Sequence, residues 1–201
     1  MNIKSLKTED SWEATPDPLK YWLEDCRDES DQSTAEEQTE VMQLQHQLLA
    51  WGFRQEFINL THSVWLYPEF SHRRYYESWG DGIIVPINGK RWKVMYEVEP
   101  AIKNLSDIGD YHPQYGESIR FEMTDEPETE YSHSSSEDRY LSFFGQPAFI
   151  QNKVLPVHDF QPAKPLFQWK NEWGDCGNEN VFLSCDLLGD PAQVFLEYSC
   201  S

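Results

Sequence analysis

The sequence has few basic residues for its size. It carries 16 Lys and Arg against 35 Asp and Glu, which gives a formal net charge of −19 at pH 7. Nucleic acids and anionic membranes both require clustered Lys and Arg, so neither is an expected partner. An acidic surface instead favours solubility, or the electrostatic capture of a basic protein.

Long apolar runs and paired cysteines are also missing. No stretch approaches the roughly 18 apolar residues of a membrane span, and the N-terminus lacks the apolar region of a signal peptide. The four cysteines are not spaced as CxxC, which predicts free thiols in a reducing cytoplasm. A zinc site from Cys176, Cys185, Cys200 and His158 would lack the tight ligand pairs of such sites. We therefore predict no metal and no cofactor.

Catalytic motifs are absent as well. The sequence contains no G-x-S-x-G, P-loop, G-x-G-x-x-G or H-E-x-x-H pattern. Cys176 with His158 lacks the cationic setting that activates a thiol. Asp81 and Asp175 as paired carboxylates would need a cleft and one raised pKa. The prediction is a protein that is not an enzyme, with a hydrolase on Asp81, Asp175 or His158 as the less favoured alternative.

The first quarter of the chain has two helical patterns after a polar arm, residues 1–17. A helix start at Asp17-Pro18 is followed by apolar residues at the spacing of one helical face: Leu19, Trp22, Leu23 and Cys26. Capping-box spacing at Thr34 and Glu37 precedes a second such set: Val41, Leu44, Leu48 and Leu49. The segment between them is acidic, and an acidic segment is typical of a solvated face or of a partner-binding arm.

Strand patterns begin near residue 57. Trp79-Gly80-Asp81 predicts a turn, and Asn88-Gly89 between two apolar alternating runs predicts a type I′ hairpin. Arg73 and Arg74 are expected to pair with nearby acids on the surface. A further short strand is predicted at residues 119–123.

The stretch from residue 124 to 140 contains many acids and no Lys and only one Arg. It is too polar to pack and is predicted to be a mobile surface loop. It lacks the glycine and the ligand register of a calcium-binding loop.

The C-terminal part repeats features of the middle hairpin. Trp79-Gly80-Asp81 recurs as Trp173-Gly174-Asp175, and residues 94–97 recur as residues 194–197. Each pair encloses one apolar strand, which indicates a duplicated β unit. The aspartates are expected to accept hydrogen bonds from turn amides, and the two tryptophans to cover the core or to border a cleft between the halves.

The second half resembles the YwqG-like bacterial family, a family of unknown function. The resemblance is carried by Phe144-Gly145-Gln146-Pro147, Pro165-Leu166-Phe167-Gln168, Trp173-Gly174-Asp175-Cys176-Gly177 and Val194–Cys200. The chain departs from the family at Tyr198-Ser199-Cys200, and the match covers about 60 residues well. The resemblance implies a duplicated α+β domain without a known reaction. By association with polymorphic toxin systems, it also implies a role as an immunity protein.

These patterns together predict one α+β domain with N-terminal helices and a mainly antiparallel, internally duplicated β part. The units are residues 1–56 (helical), 57–123 (first β unit), 124–140 (acidic loop) and 141–201 (second β unit). The predicted function is non-enzymatic: a cytoplasmic immunity protein that occludes a basic toxin domain. The alternative is a module that binds a small molecule or peptide. The expected partner contacts are Glu36, Glu37, Glu40, Asp125, Glu126, Glu128 and Glu130.

Overall fold

The computed structural model describes residues 2–16, residues 39, 42, 43, 46, 49 and 50, and the ranges 72–98, 117–134, 141–145, 147, 154–159, 161–170 and 178–199. Eleven strands lie within these residues and are numbered β1 to β11 in chain order. Their bounds are Ile3–Asp10, Arg74–Tyr76, Ile83–Ile87, Lys90–Val98, Glu117–Met123, Leu141–Phe143, Val157–His158, Gln161–Pro162, Lys164–Lys170, Asn178–Cys185 and Pro191–Ser199.

Nine of these strands form one sheet, in the order β2-β6-β9-β10-β11-β1-β5-β4-β3, and β7 and β8 form a separate pair. Two antiparallel meanders, β3-β4-β5 and β9-β10-β11, lie on either side of β1. β1 pairs in parallel with β11 and antiparallel with β5. The sheet curls into a half-barrel. Its two edge strands, the first and last in this order, are β2 and β3.

The predicted α+β fold with N-terminal helices is wrong. Strands make up 56% of the described residues and helical residues 6%, and the described part of the chain contains no helix as an element. The described residues between 39 and 50 have helical backbone, but all are exposed. Leu49, assigned from sequence to an apolar helix face, is 39% exposed, and Met42 is 53% exposed. The other apolar positions of the two helical patterns lie outside the described residues: Leu19, Trp22, Leu23 and Cys26 in the first, and Val41, Leu44 and Leu48 in the second.

The predicted polar arm instead contains β1, the strand that joins the two meanders. Its sequence, IKSLKTED, has only two apolar residues, and its side chains alternate between exposed and half-buried. Because both of its edges are hydrogen-bonded, β1 is stabilised by backbone pairing more than by apolar burial. Only Leu6 packs against the main core. A pattern based on apolar residues therefore missed it.

The predicted hairpin is confirmed. β3 and β4 pair antiparallel from Ile83↔Val94 to Ile87↔Lys90. Asn88 and Gly89 both have positive φ, 49° and 75°, as a type I′ turn requires. The hairpin tip contacts the tip of the β10–β11 hairpin across the curl of the sheet, where Asn88 Nδ2 donates a hydrogen bond of 2.9 Å to the Gly189 carbonyl.

The main core fills the concave face of the sheet and is largely aromatic. Trp79 joins strands that are far apart in the sheet order, because its ring lies 6.1 Å from Tyr96 of β4 and 4.9 Å from Phe167 of β9. Trp92 and Phe121 pack edge to face at 6.4 Å and are fully buried. The first Trp-Gly-Asp turn is thus a core corner: Gly82 N donates to Trp79 O at 2.8 Å.

A smaller cluster covers part of the outer face. Phe182 and Phe195 pack there against Val154 and Ala163, with Trp12 at the margin. The turn after β1 is tied to this layer, since Val157 N donates to Ala14 O at 3.1 Å. β10 is therefore buried on both faces, which matches its central apolar run Val181-Phe182-Leu183.

The two echoing stretches occupy non-equivalent positions of the sheet. β4 is the middle strand of its meander, whereas β11 is the outer strand of the other and lies next to β1. Glu97 contacts Arg120 near the surface, whereas Glu197 is buried and accepts a hydrogen bond of 2.6 Å from Asn180 Nδ2. The second turn of the echo, Trp173-Gly174-Asp175, lies outside the described residues.

Candidate functional site

The acidic stretch spans the opening of the half-barrel. We call residues 124–134 the edge segment. Thr129 N donates to Ile84 O at 3.0 Å, and Ile84 N donates to Thr129 Oγ1 at 2.8 Å, which fixes the segment to edge strand β3. Tyr75 and Ser132 exchange two backbone hydrogen bonds of 3.0 and 3.1 Å, which fix it to edge strand β2. The acidic loop was predicted to be mobile, but this part of it is hydrogen-bonded at both edges of the sheet.

The edge segment presents its acids to solvent. All four predicted contact residues that it contains are exposed: Asp125, Glu126, Glu128 and Glu130. Glu128 forms an ion pair of 2.8 Å with Arg74, which confirms the predicted surface pairing of that arginine. No cation of the described residues pairs with the other three. The remaining predicted contacts, Glu36, Glu37 and Glu40, lie outside the described residues.

Arg74 links the edge segment to the core beside it. Its guanidinium carbon lies 4.5 Å from the centroid of the Tyr131 ring and 5.4 Å from that of Phe144. An arginine between aromatic faces and a carboxylate gains cation–π attraction together with a charged hydrogen bond. Gly145, at φ +77°, leaves room for the neighbouring Arg73, because a Cβ there would lie 2.8 Å from Arg73 Cβ.

A cleft of about 410 Å³ opens between the edge segment and the start of β3. We call it the edge cleft. Its walls come from the end of β2, from the residue before the Trp79 turn and from the segment; they include Tyr76, Glu77, Ser78, Thr129, Glu130 and Tyr131. Its volume lies within the roughly 300–1,000 Å³ typical of ligand sites. The edge cleft is therefore the candidate site of the described structure.

Tyr76 is the buried polar residue of this cleft. It is 3% exposed, and no described residue is in hydrogen-bonding geometry with its hydroxyl. Burial raises the pKa of Tyr76 to about 12, and the Arg74 guanidinium nearby offsets this only in part. The hydroxyl thus keeps its proton at neutral pH and retains an unused capacity to donate or accept a hydrogen bond.

This burial makes stability depend on pH. The folded pKa of about 12 lies above the ordinary value of 10.0, so the unfolded chain loses the Tyr76 proton first. The contribution of Tyr76 to the free energy of unfolding is fully present below pH 10. It falls by about 3 kcal/mol at most as the pH rises from 10 to 12. Denaturation between pH 9 and 12 should show a shallower decline for Tyr76→Phe than for the wild type. Equal slopes for the two proteins would contradict the burial of the hydroxyl.

His158 and Ser184 form the described contact that most resembles a catalytic pair. Ser184 Oγ lies 2.8 Å from His158 Nδ1, and the Asp159 carboxylate lies 3.9 Å from the same nitrogen. In a catalytic triad the carboxylate and the serine face opposite ring nitrogens. Ser184 is also only 6% exposed. The contact therefore ties β7 to β10 and gives no support to a hydrolase at His158.

The other candidate catalytic residues are dispersed or outside the described part. Asp81 is exposed in its turn, and Asp175 and Cys176 lie outside the described residues. Cys185 is half-buried, and this burial raises the pKa of its thiol, which disfavours the reactive thiolate. The pairing of Asp81 with Asp175 stays a prediction.

Sequence reasoning missed the cleft because its walls come from three separate stretches. Tyr75 and Tyr76 follow Arg73 and Arg74 without forming a known motif, and Thr129 and Tyr131 lie among acidic residues. A weak signal was available. Thr129 and Tyr131 are two positions apart, the spacing of residues on one face of a strand, and β-branched and aromatic residues favour strands.

Among the described residues, no helix has the length and apolarity needed to cross a bilayer. Comparison with models of protein families, with curated proteins and with solved structures yields no match. The resemblance to the YwqG-like family therefore stays a prediction from sequence motifs.

Proposed function

We propose that the protein is a non-enzymatic binding protein that uses its acidic edge segment to occlude a basic protein partner. The observation that carries this proposal is the attachment of the segment to both edges of the sheet. Asp125 and Glu126 are thereby presented from a fixed backbone, so binding them costs little ordering entropy. The net charge of −19 adds long-range attraction for a basic partner.

The most concrete partner is a bacterial toxin domain, with this chain as its cytoplasmic immunity protein. This part of the proposal is supported by the sequence resemblance to the YwqG-like family and by the charge. The test is co-expression with the product of the neighbouring gene. We expect that product to be toxic alone and harmless in the presence of this protein. A toxic neighbour that is not rescued, and does not bind at moderate salt, would refute the immunity role.

Charge reversal tests the surface itself. Asp125→Lys combined with Glu126→Lys should slow association with the purified partner about tenfold at low ionic strength, because these exposed charges act through steering. The slowing should shrink as salt rises. Stopped-flow or surface-plasmon measurements at 50 and 300 mM salt would record both effects.

The matched control is Glu9→Lys combined with Glu13→Lys. It makes the same change in net charge, and both side chains are exposed. Both residues lie near the C-terminal end of β1 or just beyond it. The edge segment starts near the opposite end of β1, where Met123 N donates a hydrogen bond to Asn2 O. Equal slowing by the two double variants would show that net charge alone matters and that the edge segment is not the contact surface.

A second candidate is a module that binds a small molecule or a free peptide. The edge cleft favours it, because its volume of about 410 Å³ suits such a ligand. A thermal-shift screen against metabolites and short peptides would support this candidate through a saturable rise in Tm. That rise should vanish when the cleft is narrowed by Ser78→Phe.

A further inference from the structure

The turn between β10 and β11 carries the two most exposed large apolar side chains of the described residues. We call residues 186–190 the leucine turn. Leu187 is fully exposed and Leu188 is 77% exposed, whereas the other exposed large apolar side chains range from 37% to 53%. Turns favour Gly, Asn, Asp and Pro, and leucine has no conformational advantage there. The two leucines therefore add apolar surface that the turn itself does not need.

The backbone of the leucine turn is fixed by hydrogen bonds within it. The Asp186 carboxylate accepts hydrogen bonds from Leu188 N at 2.9 Å and from Asp190 N at 3.0 Å. Gly189 N donates to the Asp186 carbonyl at 2.9 Å. An aspartate that accepts from turn amides in this way stabilises one conformation of the turn.

The neighbouring β3–β4 hairpin also holds the leucine turn. Lys90 Nζ donates to the Leu188 carbonyl at 3.1 Å, and Asn88 Nδ2 donates to the Gly189 carbonyl at 2.9 Å. Gly189, at φ +78°, allows this approach, because a Cβ there would lie 3.0 Å from Asn88 Cβ. Side chains on a fixed backbone lose less conformational entropy on binding than those of a mobile loop. The two leucines are thus presented as a preorganised apolar contact.

Both carboxylates of the leucine turn are paired with lysines. Lys4 forms an ion pair of 3.3 Å with Asp186, and Lys90 pairs with Asp190. An unpaired carboxylate at the mouth of an apolar pocket would cost free energy on desolvation, and this pairing reduces that cost. The leucine turn therefore suits an apolar pocket of a partner.

The leucine turn lies at the same end of the sheet as the start of the edge segment. Thr124 N donates to the Arg91 carbonyl at 3.1 Å, and the preceding residue of β4, Lys90, donates to the carbonyl of Leu188. Two consecutive residues of β4 thus connect the edge segment with the leucine turn. One surface of a partner can therefore contact both.

We propose that Leu187 and Leu188 insert into an apolar pocket of the basic partner, beside the basic side chains that contact Asp125 and Glu126. This inference rests on the proposed function and adds the apolar contact that holds the complex together. Protein interfaces combine an apolar centre with a polar rim. Exposed charges act mainly on the association rate, whereas loss of packed contacts acts mainly on the dissociation rate. The two contacts are therefore expected to differ in their kinetic effects.

The test measures binding of the full chain to the purified product of the neighbouring gene by surface plasmon resonance, at 50 and 300 mM salt. Leu187→Ala combined with Leu188→Ala should weaken binding about a hundredfold, because each truncation removes buried apolar surface that contributes roughly a tenfold change in affinity. The loss should lie in faster dissociation, with the association rate within about twofold of the wild type. It should be equal at both salt concentrations, because no charge is changed.

Leu187→Met combined with Leu188→Met is the matched control, because it keeps apolar side chains of similar volume. It should bind within about threefold of the wild type. Both double variants should keep the wild-type Tm, since the two side chains are exposed. Wild-type dissociation of the alanine variant, or equal losses in the alanine and methionine variants, would overturn the inference.

Sedimentation of the protein alone tests whether a second copy occupies the leucine turn instead. The wild type and the alanine variant should sediment alike. Self-association of the wild type that the alanine variant abolishes would overturn the inference, because the leucines would then form a contact between copies of this chain.

Failure of this inference is distinguishable from failure of the proposed function. If charge reversal at Asp125 and Glu126 slows association but the alanine variant dissociates at the wild-type rate, the leucine contact fails and the proposed function stands. If the alanine variant dissociates faster but charge reversal has no effect on association, the leucine contact stands and the acidic contact fails. A gene product that does not bind the wild type would refute both.

Discussion

Trp92→Ala is expected to lower the free energy of unfolding by about 3–5 kcal/mol, the range for removal of a buried aromatic side chain. Trp92 is fully buried on β4, opposite Val85 of β3 and Met123 of β5, and packs on the Phe121 ring. Native domains are stable by only about 5–15 kcal/mol, so this variant should lose a large part of its stability. Urea denaturation followed by tryptophan fluorescence and near-ultraviolet circular dichroism would measure the loss.

Leu187→Ala is the matched control, because Leu187 is fully exposed at the β10–β11 turn. It should change the unfolding free energy by no more than about 0.5 kcal/mol. Trp92→Phe should fold and lose less than the alanine variant, since it keeps a ring and removes an indole N–H that has no partner among the described residues. A Trp92→Ala loss as small as that of Leu187→Ala would contradict the core position of Trp92.

Thr129→Val is expected to loosen the attachment of the edge segment to β3 at a cost of about 1–3 kcal/mol, the cost of a buried donor left without its acceptor. The substitution conserves shape but removes the oxygen that accepts from Ile84 N at 2.8 Å. Ile84 is 8% exposed, so water cannot easily replace the lost acceptor. Hydrogen exchange of residues 124–134 should become faster, and partner binding should weaken because the acids must then be ordered on binding.

Two variants separate this effect from a general loss of a threonine hydroxyl. Thr129→Ser keeps the acceptor oxygen and should restore most of the exchange protection. Thr124→Val removes a hydroxyl that accepts an exposed hydrogen bond from the nearby Glu126 N, and should cost a few tenths of a kcal/mol. Wild-type exchange in Thr129→Val would show that the segment is not fixed through this contact.

The hairpins could be predicted from the sequence, because local rules determine them. Asn88-Gly89 specifies its turn by its backbone preferences alone, and the alternating runs around it bury one face. β1 could not be predicted, since its stability comes from pairing with strands far along the chain rather than from its own side chains. In the second helical pattern, periodicity indicates a face but not what covers it, and its described member Leu49 is 39% exposed.

The candidate site was predictable only in part. Acidic residues at 125, 126, 128 and 130 were identified from composition, and their exposure follows from their polarity. Their fixed placement depends on the two hydrogen bonds between Thr129 and Ile84 and on the backbone bridge between Tyr75 and Ser132. Neither contact leaves a pattern in the sequence, because each joins residues whose proximity is created by the curl of the sheet.

The central position of β1 also governs the order in which this protein acquires its shape during synthesis. Asn2 and Asp190, which are in contact, are 188 positions apart, so β1 must wait for nearly the whole chain before its parallel partner exists. Until then one edge of this strand has no pairing partner, and such an edge is prone to associate with other chains. Contacts between residues so distant in sequence slow folding, because the chain loses loop-closure entropy before the contact forms. A ribosome that stalls before β11 would therefore release a chain prone to aggregation rather than a smaller working domain.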